Sequence, residues 1–169
     1  MLSKEQLMII IKLQAELDQK ISITRLLQDN QEILNAKFLA LMIEIAEFAN
    51  EQRCFKYWSS KPSSEKKILL EEYIDGLHFI ISIANDCGLS SKITDLKINF
   101  QHYQTLTLAF LDLFATTLKL QQEKDLATIE KWFNIYYTIA QKCDFTKDDI
   151  FNAYLAKNKI NHLRQEQNY

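Results

Sequence analysis

Leu39-Ala-Leu-Met-Ile-Glu44-Ile-Ala-Glu47-Phe-Ala49 contains only two polar residues, and both are glutamates. The stretch belongs to a run from Ile33 to Asn50 that is apolar around most of a helical circumference, which predicts a helix in the middle of a bundle. Glu44 and Glu47 are three residues apart, so their side chains are neighbours on one face, and Glu51 extends that face by a turn. Further on, Glu72 and Asp75 repeat the spacing inside Tyr73-Ile-Asp75-Gly-Leu-His78-Phe-Ile-Ile81. Two acidic pairs thus enter a predicted core. Desolvation and mutual repulsion forbid several ionised carboxylates there unless they neutralise or a cation joins them. Two antiparallel helices, each with an acidic pair, can offer four oxygen ligands to one cleft, and an all-oxygen set favours Mg²⁺ or Mn²⁺ over zinc. A solvated acidic stripe, or pairing with lysines, is the plainer alternative, and the apolar surroundings on both helices weigh against it. A ferritin-like di-iron site would need two Glu-x-x-His pairs, which the chain lacks; Asp75 with His78 comes nearest.

Composition points the same way. A chain of 169 residues, 47% of them hydrophobic, is the size of one domain with one core, spanning 1–169. Two Gly and one Pro are too few for the tight turns of a β-sandwich or a Gly-rich nucleotide loop, so the expected class is all-α, a helical bundle around a central antiparallel pair carrying the acidic motifs. Twenty basic and 22 acidic residues leave a net charge of -2, which argues against a non-specific nucleic-acid partner. No apolar run approaches the ~20 residues of a membrane span, and Met1 to Lys12 shows no basic leader, so no membrane partner is expected and the location is read as cytoplasmic, or host cytoplasm for a viral source. Cys54, Cys87 and Cys143 form no Cys-x-x-Cys pair and read as reduced, packed thiols.

Helix signals divide the chain. Ser3 and Gln6 have capping-box spacing ahead of a first helix over about 4–28. The second helix follows, and Arg53 to Ser64, with Trp58, Pro62 and four serines, reads as a loop. A third helix is predicted over about 64–87, stopped by Gly88. Residues 92–99 alternate like a short strand but suit a loop in this context. Helices over about 102–121 and 125–143 come next, and Thr146 with Asp149 caps a sixth. On that last helix Lys157, Asn161 and Arg164 fall at i, i+4 and i+7, sharing a face. Two cations beside an amide suit a phosphate chain with a polar group near it, and a solvated basic helix end fits the same residues equally well.

Taken together, Glu44-Ile-Ala-Glu47, Asn50-Glu-Gln-Arg-Cys-Phe-Lys-Tyr-Trp58, Glu71-Glu-Tyr-Ile-Asp75-Gly-Leu-His78-Phe79 and Lys157-Asn-x-x-Asn161-x-x-Arg164-Gln165 resemble the dimeric, all-α dUTPases, which sit among the MazG-like nucleotide pyrophosphatases. The likeness runs from Leu13 to Tyr169, with no placed motif over about 90–145. It implies hydrolysis of dUTP, and of dUDP, to dUMP with more than one Mg²⁺, Mn²⁺ being a substitute, by a homodimer. By motif, Glu44, Glu47, Glu72 and Asp75 become metal ligands, and Glu47 also orients or deprotonates the attacking water. Lys157 and Arg164 would take phosphate oxygens, and Gln14, Trp58, His78 and Asn161 would surround the nucleoside. One departure concerns base choice: where the family often has Asn near the end of the first helix, this chain has Asp18, which when ionised accepts from a ring N–H but cannot donate to a carbonyl. His102 and His162 take no role from the motif, and Trp132 reads as core or dimer contact. Two other functions fit the residues: a MazG-type house-cleaning pyrophosphatase of other or broad specificity, and a catalytically idle helical interaction module. The intact carboxylate set argues against the second.

Overall fold

Ser3 and Gln6 do form a capping box, each side chain meeting the other's backbone, and start α1 (Lys4–Arg25), which ends on a left-handed Leu26. The computed structural model describes residues 1–27 and 31–167, so the expected last residue of this helix, 28, lies outside the described residues. α2 (Gln31–Gln52), α3 (Lys66–Asp86), α4 (Ser90–Ile93), α5 (Leu106–Glu123), α6 (Leu126–Lys142) and α7 (Lys147–Glu166) follow. Of the described residues 76% are helical, and none forms a strand. Gly88 takes the left-handed φ of 67° just beyond α3, and the second capping box, Thr146 with Asp149, opens α7.

Side-chain pairs fix the helix directions. Lys37 meets Asp86 and Glu51 meets Ser64, so α2 runs antiparallel to α3. Lys66 meets Asp149 and Asp75 meets Lys157, while Gln6 meets Asp148 and Lys20 meets Glu166, so α1, α3 and α7 run parallel to one another. α5 lies antiparallel to α6, with Glu123 against Thr128 and Asp112 against Lys131. The shared core is aromatic: Tyr73 stacks on Tyr136 at 4.2 Å, with Phe48 and Phe145 against them. The Tyr136 hydroxyl donates to the Tyr73 carbonyl at 2.6 Å. A Cβ on Gly76 would come within 2.4 Å of that hydroxyl, so only glycine lets α6 approach α3 this closely beside Asp75. Trp132 is wholly core, its indole N–H donating to Thr117.

Two expectations are corrected. The middle of the bundle belongs to α3 and α6, each burying eleven residues, whereas α2 buries one face and exposes Leu39 and Ile43 by 58% and 48%. Over 92–99 the expected loop is found, apart from 92 and 93, which end α4. Its continuation is held by α6 side chains, with Asn134 and Thr138 accepting from the Asn99 and Gln101 amides. The fourth expected helix, α5, starts at Leu106 rather than 102 because Thr105 caps it.

Candidate active site

The parallel α1, α3 and α7, with α2 alongside, enclose a cavity of about 820 Å³. Its lining includes Gln14 and Asp18 from α1, Lys37 and Glu44 from α2, Asp75, His78, Phe79, Ser82 and Asp86 from α3, and Lys157, Asn161 and Arg164 from α7. Helical spacing explains the assembly: 75, 78, 82 and 86 share one face of α3, and 157, 161 and 164 one face of α7. The α7 cations therefore turn toward the cavity rather than lying along an outer face.

At one end, Glu44, Glu72 and Asp75 each place a carboxylate oxygen within 4.8 Å of the other two. All three are half-buried. Burial first, then the charges of Asp75, Glu47 and Glu72, push Glu44 up to about 7. Burial and the neighbouring carboxylates also raise Glu72; burial raises Asp75, opposed by Lys157. Lys157 Nζ lies 2.6 Å from Asp75 and 3.7 Å from Glu71, so the lysine expected on phosphate sits against a carboxylate expected on metal. Such a crowded, oxygen-only set fits a hard divalent cation, which would relieve the repulsion that holds these groups above their ordinary range. Glu47 stands one turn along α2, exposed, near enough to raise its neighbours and outside the triangle. Glu51 turns instead to the loop, accepting from the Ser64 hydroxyl.

The other end is a buried hydrogen-bond knot. Gln14, only 4% exposed, accepts from the Tyr154 hydroxyl at 2.7 Å, lies 2.7 Å from His78 Nδ1, and donates to Asp18 at 2.8 Å. His78 stacks on Tyr154 with centroids 4.1 Å apart, and burial, with Lys157 adding to it, lowers its pKa to about 3. Tyr154, Ser82 and the 2.6 Å Lys37–Asp86 ion pair were not singled out from sequence. Their only signal was position: Ser82 and Asp86 lie four and eight residues beyond His78, Lys37 faces Asp86 across α2 and α3, and Tyr154 lies three residues before Lys157.

Trp58 is placed elsewhere. It sits 65% exposed on the loop after α2, edge-on to Tyr57 and Phe55, and does not line the cavity. Arg53 holds that loop by donating to Ser59 and to the Lys61 carbonyl. His102 is exposed, and His162 only lends its carbonyl to Lys20.

A family model described as dUTPase matches residues 6–169. No individual curated protein matches the chain. The family match takes in every helix of the fold and every residue around the cavity, and the chain therefore belongs to the all-α dUTPases, enzymes that hydrolyse dUTP.

Proposed function

We propose that this single domain converts dUTP, and dUDP, to dUMP with Mg²⁺ held by Glu44, Glu72 and Asp75, Glu47 completing the set. The observation that carries the reading is the carboxylate triangle opening on a cavity that also contains Lys157, Arg164 and a buried amide and imidazole. Mg²⁺, or Mn²⁺ in its place, and more than one ion in the full site, would neutralise phosphate charge and make water a nucleophile near neutral pH. Glu47, exposed beside the triangle, is free to orient that water and take its proton. Lys157 and Arg164 bind phosphate oxygens, Lys157 exchanging its contact with Asp75 for one with the substrate. Gln14, His78 and Asn161 hold the nucleoside at the opposite end.

The partner is a second copy of the chain. Leu39 and Ile43 on α2 and Leu108, Leu111 and Leu118 on α5 are all exposed by 46% or more, at helical spacing, on adjacent helices. A monomer would leave this apolar face in water. The loop bearing Trp58 begins beside it, where Thr107 of α5 donates to the Cys54 carbonyl. Because Trp58 lies off its own chain's cavity, a role against the nucleoside is one it would play across the dimer. Cytoplasmic location agrees with the absence, among the described helices, of any long and apolar enough to cross a membrane.

Pyrophosphate release from a panel of deoxynucleoside and ribonucleoside triphosphates, with Mg²⁺ and with excess chelator, tests the reading. Preference for dUTP that vanishes on chelation is expected. Equal kcat/KM for dUTP and dCTP would move the enzyme to the broader MazG-type alternative, and turnover in chelator would remove the metal assignment.

A further inference from the structure

The closed end of the cavity holds hydrogen-bonding atoms that the protein itself does not use. Gln14 Oε1 already accepts from the Tyr154 hydroxyl and, being only an acceptor, requires His78 Nδ1 to carry the hydrogen. His78 is therefore fixed as the tautomer whose Nε2 is a bare acceptor, in a ring only 6% exposed. Gln14 Nε2 holds one oxygen of Asp18. The other oxygen of Asp18 and Nε2 of His78 are both buried without a hydrogen-bond partner in the protein, and both residues line the cavity. Buried polar atoms of this kind call for a ligand that completes them.

We propose that Asp18 is a specificity-determining residue: with one oxygen pinned by Gln14 and the other left to the ligand, its carboxyl reads the hydrogen-bonding edge of the base, and its protonation decides which edge is accepted. The inference rests on the nucleotide reading above. An ionised carboxyl only accepts, so it pairs with an amino group, as in cytosine, or with a ring N–H, and repels a carbonyl. When the carboxyl is neutral, its pinned oxygen still accepts from Gln14 and the free oxygen carries the hydrogen, which it donates to a carbonyl, as in uracil. A site whose buried group meets the wrong edge discriminates strongly, because the mismatch leaves both groups unpaired.

Burial favours the neutral form of Asp18, and its neighbours modulate that preference. Burial raises Asp18; Lys37 from α2, the Gln14 amide and the Ser82 hydroxyl from α3 pull it down, and Asp86 from α3 pushes it up. Lys37 is itself paired with Asp86, which blunts its effect. From α7 the facing groups are the neutral Tyr154 hydroxyl and, farther along the cavity, Lys157 and Arg164; His78 stays neutral at any working pH.

The test is calorimetric titration of dUMP and dCMP into the full-length protein, without added divalent cation, from pH 5.5 to 8.5. Taking the ratio of the two dissociation constants cancels the titration of the phosphate and of the cavity's cations, which both ligands share. In the wild type the preference for dUMP is expected to fall at least ~5-fold as pH rises, while Asp18→Asn keeps one ratio, in favour of dUMP, throughout. Asp18→Ser serves the same purpose should the Asn variant fail to fold, its ratio also being independent of pH. A wild-type ratio that does not move, or a variant that tracks the wild type, overturns the role of Asp18 and leaves the nucleotide site standing. If neither monophosphate binds the wild type, the nucleotide reading falls and this inference falls with it.

Discussion

At one end of the cavity Glu44, Glu72 and Asp75 crowd three carboxylates together, with Lys157 against Asp75; at the other, Gln14 joins Asp18, His78 and Tyr154 through three short contacts. The acidic end is half-exposed and its groups repel, so it is least stable as it stands and gains from a cation. The amide end is buried and its central contacts are made, so its geometry is set before any ligand arrives. The contrast separates reactivity from recognition: a site for charge tolerates frustration that a ligand relieves, whereas a site for a base edge needs fixed donors and acceptors. Substitutions at the two ends should therefore fail in different ways.

The largest effect is expected at the acidic end and in activity alone. Asp75→Asn should lower kcat/KM for dUTP by at least ~1,000-fold, about 4 kcal/mol, while melting no lower than the wild type without metal. Steady-state kinetics with melting curves in chelator would check both halves. Substantial turnover by the variant would break the assignment of this end to the cation.

Gln14→Leu should do the reverse, costing stability first. It removes the partner of Asp18, His78 and Tyr154 together, leaving buried groups unpaired, and a loss of ~2–4 kcal/mol is expected in urea unfolding. A neutral result would mean that water replaces the amide and that this end is not preorganised.

The same contrast explains what could be read in the chain beforehand. The acidic pairs are local, Glu44 with Glu47 and Glu72 with Asp75, and helical spacing alone puts each pair on one face. Both capping boxes and Gly88 were legible for the same reason. The knot was not, because Gln14 reaches His78 across 64 positions and Tyr154 across 140, and periodicity says nothing about which faces meet. Nor does it tell an apolar helix buried all round from one like α2, which keeps Leu39 and Ile43 on the surface. Glu47 shows the limit of local spacing even at the acidic end: it shares the face of Glu44 and still stands outside the triangle.

Arg164 lines the cavity that the two groups share and should report on neither alone. Arg164→Ala is expected to lower kcat/KM by ~10-fold, about 1.4 kcal/mol, with thermal stability nearly unchanged, since the residue lines the cavity near the end of α7. Kinetics like those of the wild type would return the α7 cations to a plain helix end despite their orientation.

The smallest effect is in the metal-free protein's response to pH, where the two ends should pull in opposite directions. Folded Glu44 keeps its proton up to about 7 while an unfolded glutamate releases it near 4.5, so the native state binds more protons between those values. Stability from this group is therefore lost as pH rises from about 4.5 to 7. His78, lowered to about 3 from an ordinary 6.5, does the opposite: the unfolded state binds more protons between those values, and stability rises with pH across them. The two slopes overlap and partly cancel, so a wild-type melting profile by itself separates nothing. The difference in Tm between wild type and Glu44→Gln does, because His78 is common to both. That difference should grow in favour of Glu44→Gln from pH 4.5 to 7, reach only a few degrees because Glu44 is half-exposed, and then level off. Added Mg²⁺ should reverse its sign at pH 7.5 by stabilising the wild type more. A difference flat across the range would mean that the carboxylates are not in conflict, and the cation would then have no repulsion to relieve.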